Sequence, residues 1–436
     1  MDVTHILDEL CAGLSCGTLP DYDCNHGVRM RVFTNASPAD LDVVLQNAHN
    51  AGFADYAENR LENNRYVTLY RGTVQAHAYY IPAEQTLRVI ADGFTAPFPC
   101  AAKETERRCT TTLWMIETDH TYIDCGMCFV LRCADGSFFV IDSGHFLQVN
   151  DHKRLYRFLR ERTPGGENVV INGWFITHAH DDHVCKMMDF LAEQHRDVVI
   201  EALYFNTVCP NHRDSHFWGE GNRAIMRRFE QTALNSGLPI VKLHSGQRFC
   251  IRDLMIDVLC THEDVYPRSL ENYNDCSTVL MIETQGCRIC IPGDAGAEES
   301  DSMTTRFSQQ TLHCDVMQQS HHGHLGTSVE FYQSANAGLL LFPNTQIIFD
   351  EDLPRYEANR AAIALADTYH ISSNGTVEVP LPYTKGCETV LPDETFENFD
   401  RIQALWGYTY TPQRKQQLFD EFLRRSGLPP MTEIKP

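Results

Sequence analysis

Hydrophobic and polar positions change their period along the chain, and the changes mark its parts. Near the N-terminus, Leu41, Val44, Leu45 and Ala48 follow helical spacing behind Ser37 and Pro38, which suit an N-cap and a first helical position, and Gly52 marks the end. Three runs dense in β-branched and aromatic residues come next, Tyr66 to Tyr70, Val74 to Ile81 and Thr86 to Ala91, broken by Arg71-Gly-Thr and Pro82-Ala-Glu-Gln. This predicts a small α+β unit over residues 1–105, closed by a linker made of the Pro-rich stretch 96–100 and the charged stretch 103–108. From Cys109 the pattern is strands first, at Thr110 to Glu117, Cys125 to Cys133 and Ser137 to Ile141. Apolar runs at 169–176, 198–205, 255–260, 277–283, 288–292 and 339–342 then alternate with helical patterns at 152–161, 184–193, 222–235, 298–310 and 354–367. A sheet-rich α/β core with helices outside, built in two halves, is predicted over residues 106–380. Residues 381–436 form a C-terminal extension, in which Leu418, Phe419, Phe422 and Leu423 predict a docked helix closed by Gly427.

Composition narrows the picture. No apolar run approaches a membrane span, and the acidic start Met1-Asp-Val-Thr-His lacks the basic flank and apolar centre of a secretion signal, so a cytoplasmic location is expected. The 17 Cys then read as reduced thiols. Two C-x-x-C pairs, Cys125 with Cys128 and Cys287 with Cys290, lie in strand-like runs, where residues three apart point to opposite faces. They read as small buried hydrophobes. A formal charge of -22 and the lack of any Lys/Arg-rich run argue against nucleic acid as a partner and leave a small-molecule or ester substrate. Oligomeric state is not legible.

Chemistry is concentrated in Trp174-Phe-Ile-Thr-His-Ala-His-Asp-Asp-His-Val184, which sets H-x-H-x-D-H directly behind an apolar run. His178 and His180 can reach one cation, and Asp182 and His183 a second, if the chain turns sharply from strand into helix. Neutral imidazole and carboxylate suit zinc and its borderline neighbours. Three further strand-like runs end in chemistry-bearing turns: Asp142-Ser-Gly144-His145, Gly293-Asp294-Ala-Gly296, and Ser320-His321-His322-Gly323-His324.

Together these motifs resemble the metallo-β-lactamase fold superfamily, over a span from about Thr110 to about Phe342. Within it the pattern is most similar to the branch of ComEC-type competence proteins and bacterial phosphorylcholine esterases. The residues that carry this are Asn272-Tyr-Asn274-Asp-Cys-Ser277-Thr-Val-Leu280, then Gly293-Asp294, then His321-His322-Gly323. The resemblance implies an αββα sandwich with two divalent metal ions at the edge of its sheets, zinc favoured and manganese or iron as alternatives. By it Asp294 bridges both ions, His178 and His180 hold the first, and Asp182, His183 and one of the paired histidines hold the second. Alternation along an extended chain puts His321 and His322 on opposite sides, one for metal and one for substrate, and the resemblance favours His322 as the ligand. Asp142 then orients the histidine loop by hydrogen bonding without touching metal, although Asp142-Ser-Gly144 taken alone also reads as a simple turn.

The P-G-H-T-like turn that supplies a further metal histidine in many members is absent. His262 is the nearest substitute. It reads as a satisfied loop histidine, as do His244 and His145, the last with the option of lining the pocket. The loop 206–221 is polar and aromatic; either it lies over the metals with Trp218 as a stacking face, or it is a surface loop anchored by buried Phe217 and Trp218.

The expected function is a binuclear metal-dependent hydrolase in which metal-bound hydroxide attacks a phosphoester, a phosphodiester being favoured, with Asp182 and His321 as the catalytic side chains. The alternatives are hydrolysis of a lactone, thioester or lactam, or a non-enzymatic scaffold of the same fold in which residues 1–105 recruit a partner.

Overall fold

A computed structural model describes residues 3–96, 106–120 and 126–391, together with Arg424. The core of residues 106–391 is two facing sheets. In the first, the parallel strands Phe138–Asp142, Val169–Phe175, Leu203–Phe205 and Ile240–Lys242 lie side by side, and Cys128–Arg132, Thr112–Met115 and Val377–Pro380 continue it antiparallel. In the second, the antiparallel strands Arg248–Ile251, Leu254–Cys260, Val279–Thr284 and Cys287–Ile291 run into the parallel set Val316–Gln318, Leu339–Phe342 and Thr368–Ile371. Side chains such as Phe129, Ile141 and Phe175 meet Ile256, Leu280, Ile289 and Leu341 between the sheets. Helices Asp151–Glu161, Asp181–Glu193 and Gly219–Asn235 bury apolar stripes on the outer face of the first sheet. Helices Ala297–Arg306 and Val329–Ala335 do so on the second. This is the sheet-rich core with helices outside that the strand and helix alternation predicts, in the αββα layering that the resemblance implies.

Cys287 and Cys290 illustrate the pleat. Cys287 faces the core between the sheets and Cys290 the outer core, as a separation of three along one strand demands. Cys128 is likewise buried, while its partner Cys125 lies outside the described residues. The predicted tail helix near 418–423 and most of the predicted linker also lie outside them. The first sheet runs past the expected boundary at 380, because Thr389–Val390 pairs with Val377–Pro380.

The N-terminal unit is richer in strands than predicted. Its sheet adds Arg29–Thr34 and Ala54–Leu61 to the three expected strands, with two short strands at the edge. Helices Thr4–Leu10 and Pro38–Asn50 cover one face, the second opening on a Ser37/Asp40 capping box. The other face shares a core with the second sheet: Met30, Tyr66, Tyr79 and Ile90 pack among Leu259, Val279, Met281 and Met317. The approach is so close that a Cβ on Gly246, at φ +76, would meet the Tyr66 ring at 1.7 Å. Charges tie the same junction. Arg306, 5% exposed, reaches Glu84 and Asp264 at 2.5 Å each, and Tyr79 donates its hydroxyl to Asp264 at 2.9 Å.

Candidate metal centre

Four chain segments end at one edge of the sandwich, all at C-terminal ends of strands that have a parallel neighbour, where turns leave the sheets. Strand Phe138–Asp142 ends on Asp142 itself, whose backbone is left-handed at φ 53. Strand Val169–Phe175 runs into Thr177, His178 and His180, and His180 is the N-cap of helix Asp181–Glu193, so the predicted sharp turn places Asp182 and His183 in the first helical turn. On the second sheet, Cys287–Ile291 leads to Gly293-Asp294, and Val316–Gln318 to the histidine pair.

Each turn is held by named groups. Gln318 caps Gly293 from both sides, accepting from its N–H at 2.8 Å and donating to its carbonyl at 2.9 Å. Gly293, at φ +60, lies against Thr177, where a Cβ would come within 2.8 Å of the threonine Cβ. Ser277 Oγ accepts the Asp294 N–H at 3.1 Å. The paired histidines are not on an extended chain, which corrects the reason for expecting them to diverge. His321, His322 and Gly323 are three consecutive left-handed residues, at φ 49, 55 and 93. The turn nonetheless sends the two rings to different partners.

Ligand-type atoms of Asp182, His183, Asp294 and His322 form one group, and those of His178, His180 and Asp294 a second, each within 4.8 Å. Asp294 is common to both. His183 Nε2 stands 3.2 Å from His322 Nε2, 3.5 Å from Asp182 Oδ1 and 3.3 Å from Asp294 Oδ2. His322 Nε2 is 3.1 Å from Asp182 Oδ2 and 3.5 Å from Asp294 Oδ1. In the other group His178 Nε2 faces His180 Nδ1 at 3.0 Å and Asp294 Oδ2 at 3.8 Å. Ligand atoms around a tetrahedral zinc at ordinary bond lengths are separated by about 3.3 Å, which is this spacing.

The far nitrogens decide what these contacts mean. His183 Nδ1 donates to Asp142 Oδ2 at 2.7 Å, and His322 Nδ1 donates to the Pro343 carbonyl at 2.8 Å. Both partners are acceptors, so in neutral rings the two Nε2 atoms present lone pairs to each other. Thr177 gives its hydroxyl proton to Asp142 Oδ2 at 2.8 Å and can accept from His178 Nδ1 at 3.2 Å, which again leaves a lone pair on His178 Nε2. His180 Nε2 and Asp294 Oδ1 are buried with no hydrogen-bond partner. Converging lone pairs and orphaned atoms at this depth repel unless a cation or protons lie among them, so the residues fit divalent metal.

Charge states divide between the groups: the histidines of the first are lowered, while His183 and His322 of the second are raised, against burial, by the carboxylates that face them. Burial, then the neighbouring His183, hold His178 well below the usual histidine range, and burial lowers His180. Burial opposes ionisation of Asp182 and Asp294, yet His183 and His322 hold both carboxyls well below the usual carboxylate range. For His183 burial pulls down, but Asp294, Asp182 and Asp142 outweigh it and the group is raised.

Asp142, fully buried, also accepts the Thr177 backbone N–H at 2.8 Å. His321, a quarter exposed, sits at the rim: Nδ1 donates to the Leu325 carbonyl at 2.8 Å, Nε2 takes the Asn274 amide at 2.9 Å, and Asp294 Oδ2 is 3.9 Å away. His262 stands outside both groups, with its nitrogens engaged by Tyr22 at 3.0 Å and Asn206 at 2.9 Å. His244 lies between Glu263 and Asp92, and His145 beside Asp181 at 3.4 Å. Trp218 is buried against Tyr273 and His212 and offers no free face, whereas Phe217 is half exposed and anchors nothing. The roles of Thr177, Gln318 and the Pro343 carbonyl were not legible in sequence; a carbonyl has no side-chain signature, and Thr177 was readable only by its place before His178.

Residues 126–342 match the model of the Metallo-beta-lactamase superfamily. No curated protein matches the chain. Among solved structures the chain is similar to the metallo-beta-lactamase fold protein YhfI from Bacillus subtilis, at 12% identity over 60% of this chain and 95% of that one, with a TM-score of 0.37. It is similar to Zn(2+)-bound PqqB from Methylobacterium extorquens at 10% identity over 57% and 84%, TM-score 0.32. A diphosphatase from the PhnP family matches at 12% identity over 53% and 85%, TM-score 0.32. The matched stretch carries every residue of both ligand groups, and the family match with the layering described above supports placing it in the metallo-β-lactamase superfamily, whose members are mostly metal-dependent hydrolases. No helix among the described residues is long and apolar enough to cross a membrane.

Proposed function

We propose that this chain is a hydrolase that works with two divalent cations, zinc favoured, and cleaves a phosphoester, with phosphodiesters as the preferred class. The observation that carries the reading is the set of buried nitrogen and carboxylate atoms that converge on two adjoining points, with Asp294 common to both and His180 Nε2 and Asp294 Oδ1 left without hydrogen-bond partners. His178, His180 and Asp294 would hold the first cation, and Asp182, His183, His322 and Asp294 the second. Paired cations in such a site activate water and neutralise charge that develops on the substrate oxygens.

The chain's own groups then divide the work. Asp142 and the Pro343 carbonyl keep the imidazoles in the tautomer that turns a lone pair inward. Asp182, 17% exposed, stands at the opening and takes the proton of the attacking water. His321 lies at the rim, 3.9 Å from Asp294, where a substrate oxygen would arrive. As a neutral ring it offers a lone pair at Nε2, so it serves as an acid only when both nitrogens are protonated and the Asn274 amide turns its oxygen toward it. The preference for phosphoesters follows the likeness to the phosphorylcholine-esterase branch, carried by Gly293-Asp294 and His321-His322-Gly323. Hydrolysis of bis(p-nitrophenyl) phosphate, γ-lactones and acyl thioesters by the metal-loaded chain tests the reading. Turnover of the phosphodiester above the other two is expected, and turnover of a lactone or thioester alone overturns the substrate class.

A further inference from the structure

Three of the four imidazoles in the two groups are oriented by a hydrogen bond on the nitrogen that faces away: His183 by Asp142, His322 by Pro343 and His178 by Thr177. His180 is the exception. One nitrogen meets His178 and the other has no partner. A ring without such a bond keeps its direction only if packing fixes it.

The packing is aromatic and extends away from the site. Tyr273 stands edge-on to His180 at 5.1 Å and lies 6.0 Å from His178. Tyr273, 1% exposed, is backed by Trp218 at 5.0 Å, and Trp218 is pinned by its indole N–H to the Leu270 carbonyl at 2.8 Å. Trp218 stacks on His212 at 5.7 Å, and His212 meets Tyr22 of the N-terminal unit edge-on at 5.4 Å. Tyr22 is itself fixed by its hydroxyl contact with His262. The Tyr273 hydroxyl lies beside the Ala179 backbone without a well-formed hydrogen bond, so its ring and not its oxygen is in use.

We propose that Tyr273 is the positioning residue for His180, clamped through Trp218 and His212 by Tyr22, so that the N-terminal unit is part of the construction of the first cation site. The proposal rests on the two-cation reading above. It assigns the loop 206–221 the role of a spacer between the N-terminal unit and the site, and it accounts for a tryptophan buried in an otherwise polar segment.

Zinc affinity of the full-length chain, measured by competition with a chromophoric chelator, tests it with the sites separated. His322→Ala disables the second site and reports the first; His178→Ala does the reverse. In the His322→Ala background, Tyr273→Leu is expected to weaken zinc binding roughly 10- to 100-fold, the usual effect of losing a group that orients a ligand. Tyr273→Phe keeps the ring and should stay at the parent affinity, and Tyr22→Ala should weaken binding by a few-fold. In the His178→Ala background all three should leave affinity unchanged. A cobalt(II) absorption spectrum that shifts with Tyr273→Leu only in the first background supports the same conclusion. Equal weakening of both sites, or an unchanged first site, overturns the proposal. Should Tyr273→Leu fail to fold, Trp218→Phe carries the same expectation at smaller amplitude, and an unchanged first site there overturns it too. A parent chain that takes up no zinc removes the two-cation reading itself, whereas two bound zinc ions with indifferent variants remove only the role of Tyr273.

Discussion

Two buried collections of histidines and carboxylates lie in this molecule, and they are built on opposite principles. At the junction with the N-terminal unit, His244 donates from both nitrogens, to Glu263 at 2.7 Å and Asp92 at 3.2 Å, while Arg306 sits between Glu84 and Asp264. There both His244 protons go to carboxylates and Arg306 stands against two more, so opposite charges close on themselves. At the sheet edge, His178, His180, His183 and His322 turn acceptors toward one another and toward Asp182 and Asp294. Depth of burial is the same in both places. What separates a structural ion cluster from a cation site is therefore the direction of the protons, and removing a side chain should expose the difference.

The largest effect is expected at the shared carboxylate. Asp294→Ala should bring metal content from about two ions per chain to near zero and abolish hydrolysis, because both groups lose a member. Elemental analysis after dialysis checks this, and full occupancy would remove the bridging assignment. Next come the paired histidines: His322→Ala should lose metal and activity together, while His321→Ala should keep metal and lower kcat by about 100-fold, less for a substrate whose leaving group needs no proton. Metal loss in the second and retention in the first would reverse the pair.

Substitution at the junction should behave otherwise. Arg306→Ala leaves the buried Asp264 without its cation and Glu84 with Arg88 alone, so a destabilisation of about 3–5 kcal/mol is expected, with metal stoichiometry intact in the folded fraction. Urea denaturation with parallel metal analysis separates the two quantities. A fragment beginning at residue 106 should aggregate, since it bares Leu259, Val279 and Met281; a soluble, metal-loaded fragment would show that the N-terminal unit is dispensable.

The smallest effect is a pH trend. Burial disfavours the charged His244 ring, but Glu263 and Asp92 raise it to about 9. Its stabilising contribution is complete below the unfolded value near 6.5 and fades as pH rises through 9. Burial also raises Glu230 to about 7, so its ionisation penalises the folded state increasingly between pH 4.5 and 7. Both terms have the same sign, and the melting temperature of the metal-free chain should fall from about pH 6.5 to 9. In His244→Gln the upper part of that fall should shrink, His183 being raised in the metal-free chain as well; an unchanged fall would assign the trend to other groups.

These contrasts also explain how far the sequence could be read. Strands such as Leu339–Phe342 and helix Pro38–Asn50 were legible because apolar period and capping residues agree locally. Ala54–Leu61 was not, since in this edge strand the exposed Glu58 and Arg60 flank a buried residue that is itself polar, Asn59, so the alternation is hidden. The H-x-H-x-D-H segment announced a site because its ligands are neighbours in the chain. Nothing local distinguishes His262 or His244 from His322. Only the partners of their far nitrogens do, and those are brought in by tertiary structure: Tyr22, Asn206, Asp92 and Pro343.

Asp142 gathers these threads into one point of failure. Its carboxylate orients His183 of one group directly and His178 of the other through the Thr177 hydroxyl. The wiring is a hub and has no redundancy. Asp142→Asn would leave all six ligand side chains in the chain yet let rings in both groups choose the wrong tautomer, so drift at this one position can silence the site while every signature motif survives. A relative of this chain that keeps H-x-H-x-D-H, G-D and H-H-G but has lost the aspartate should be sorted with the inactive scaffolds.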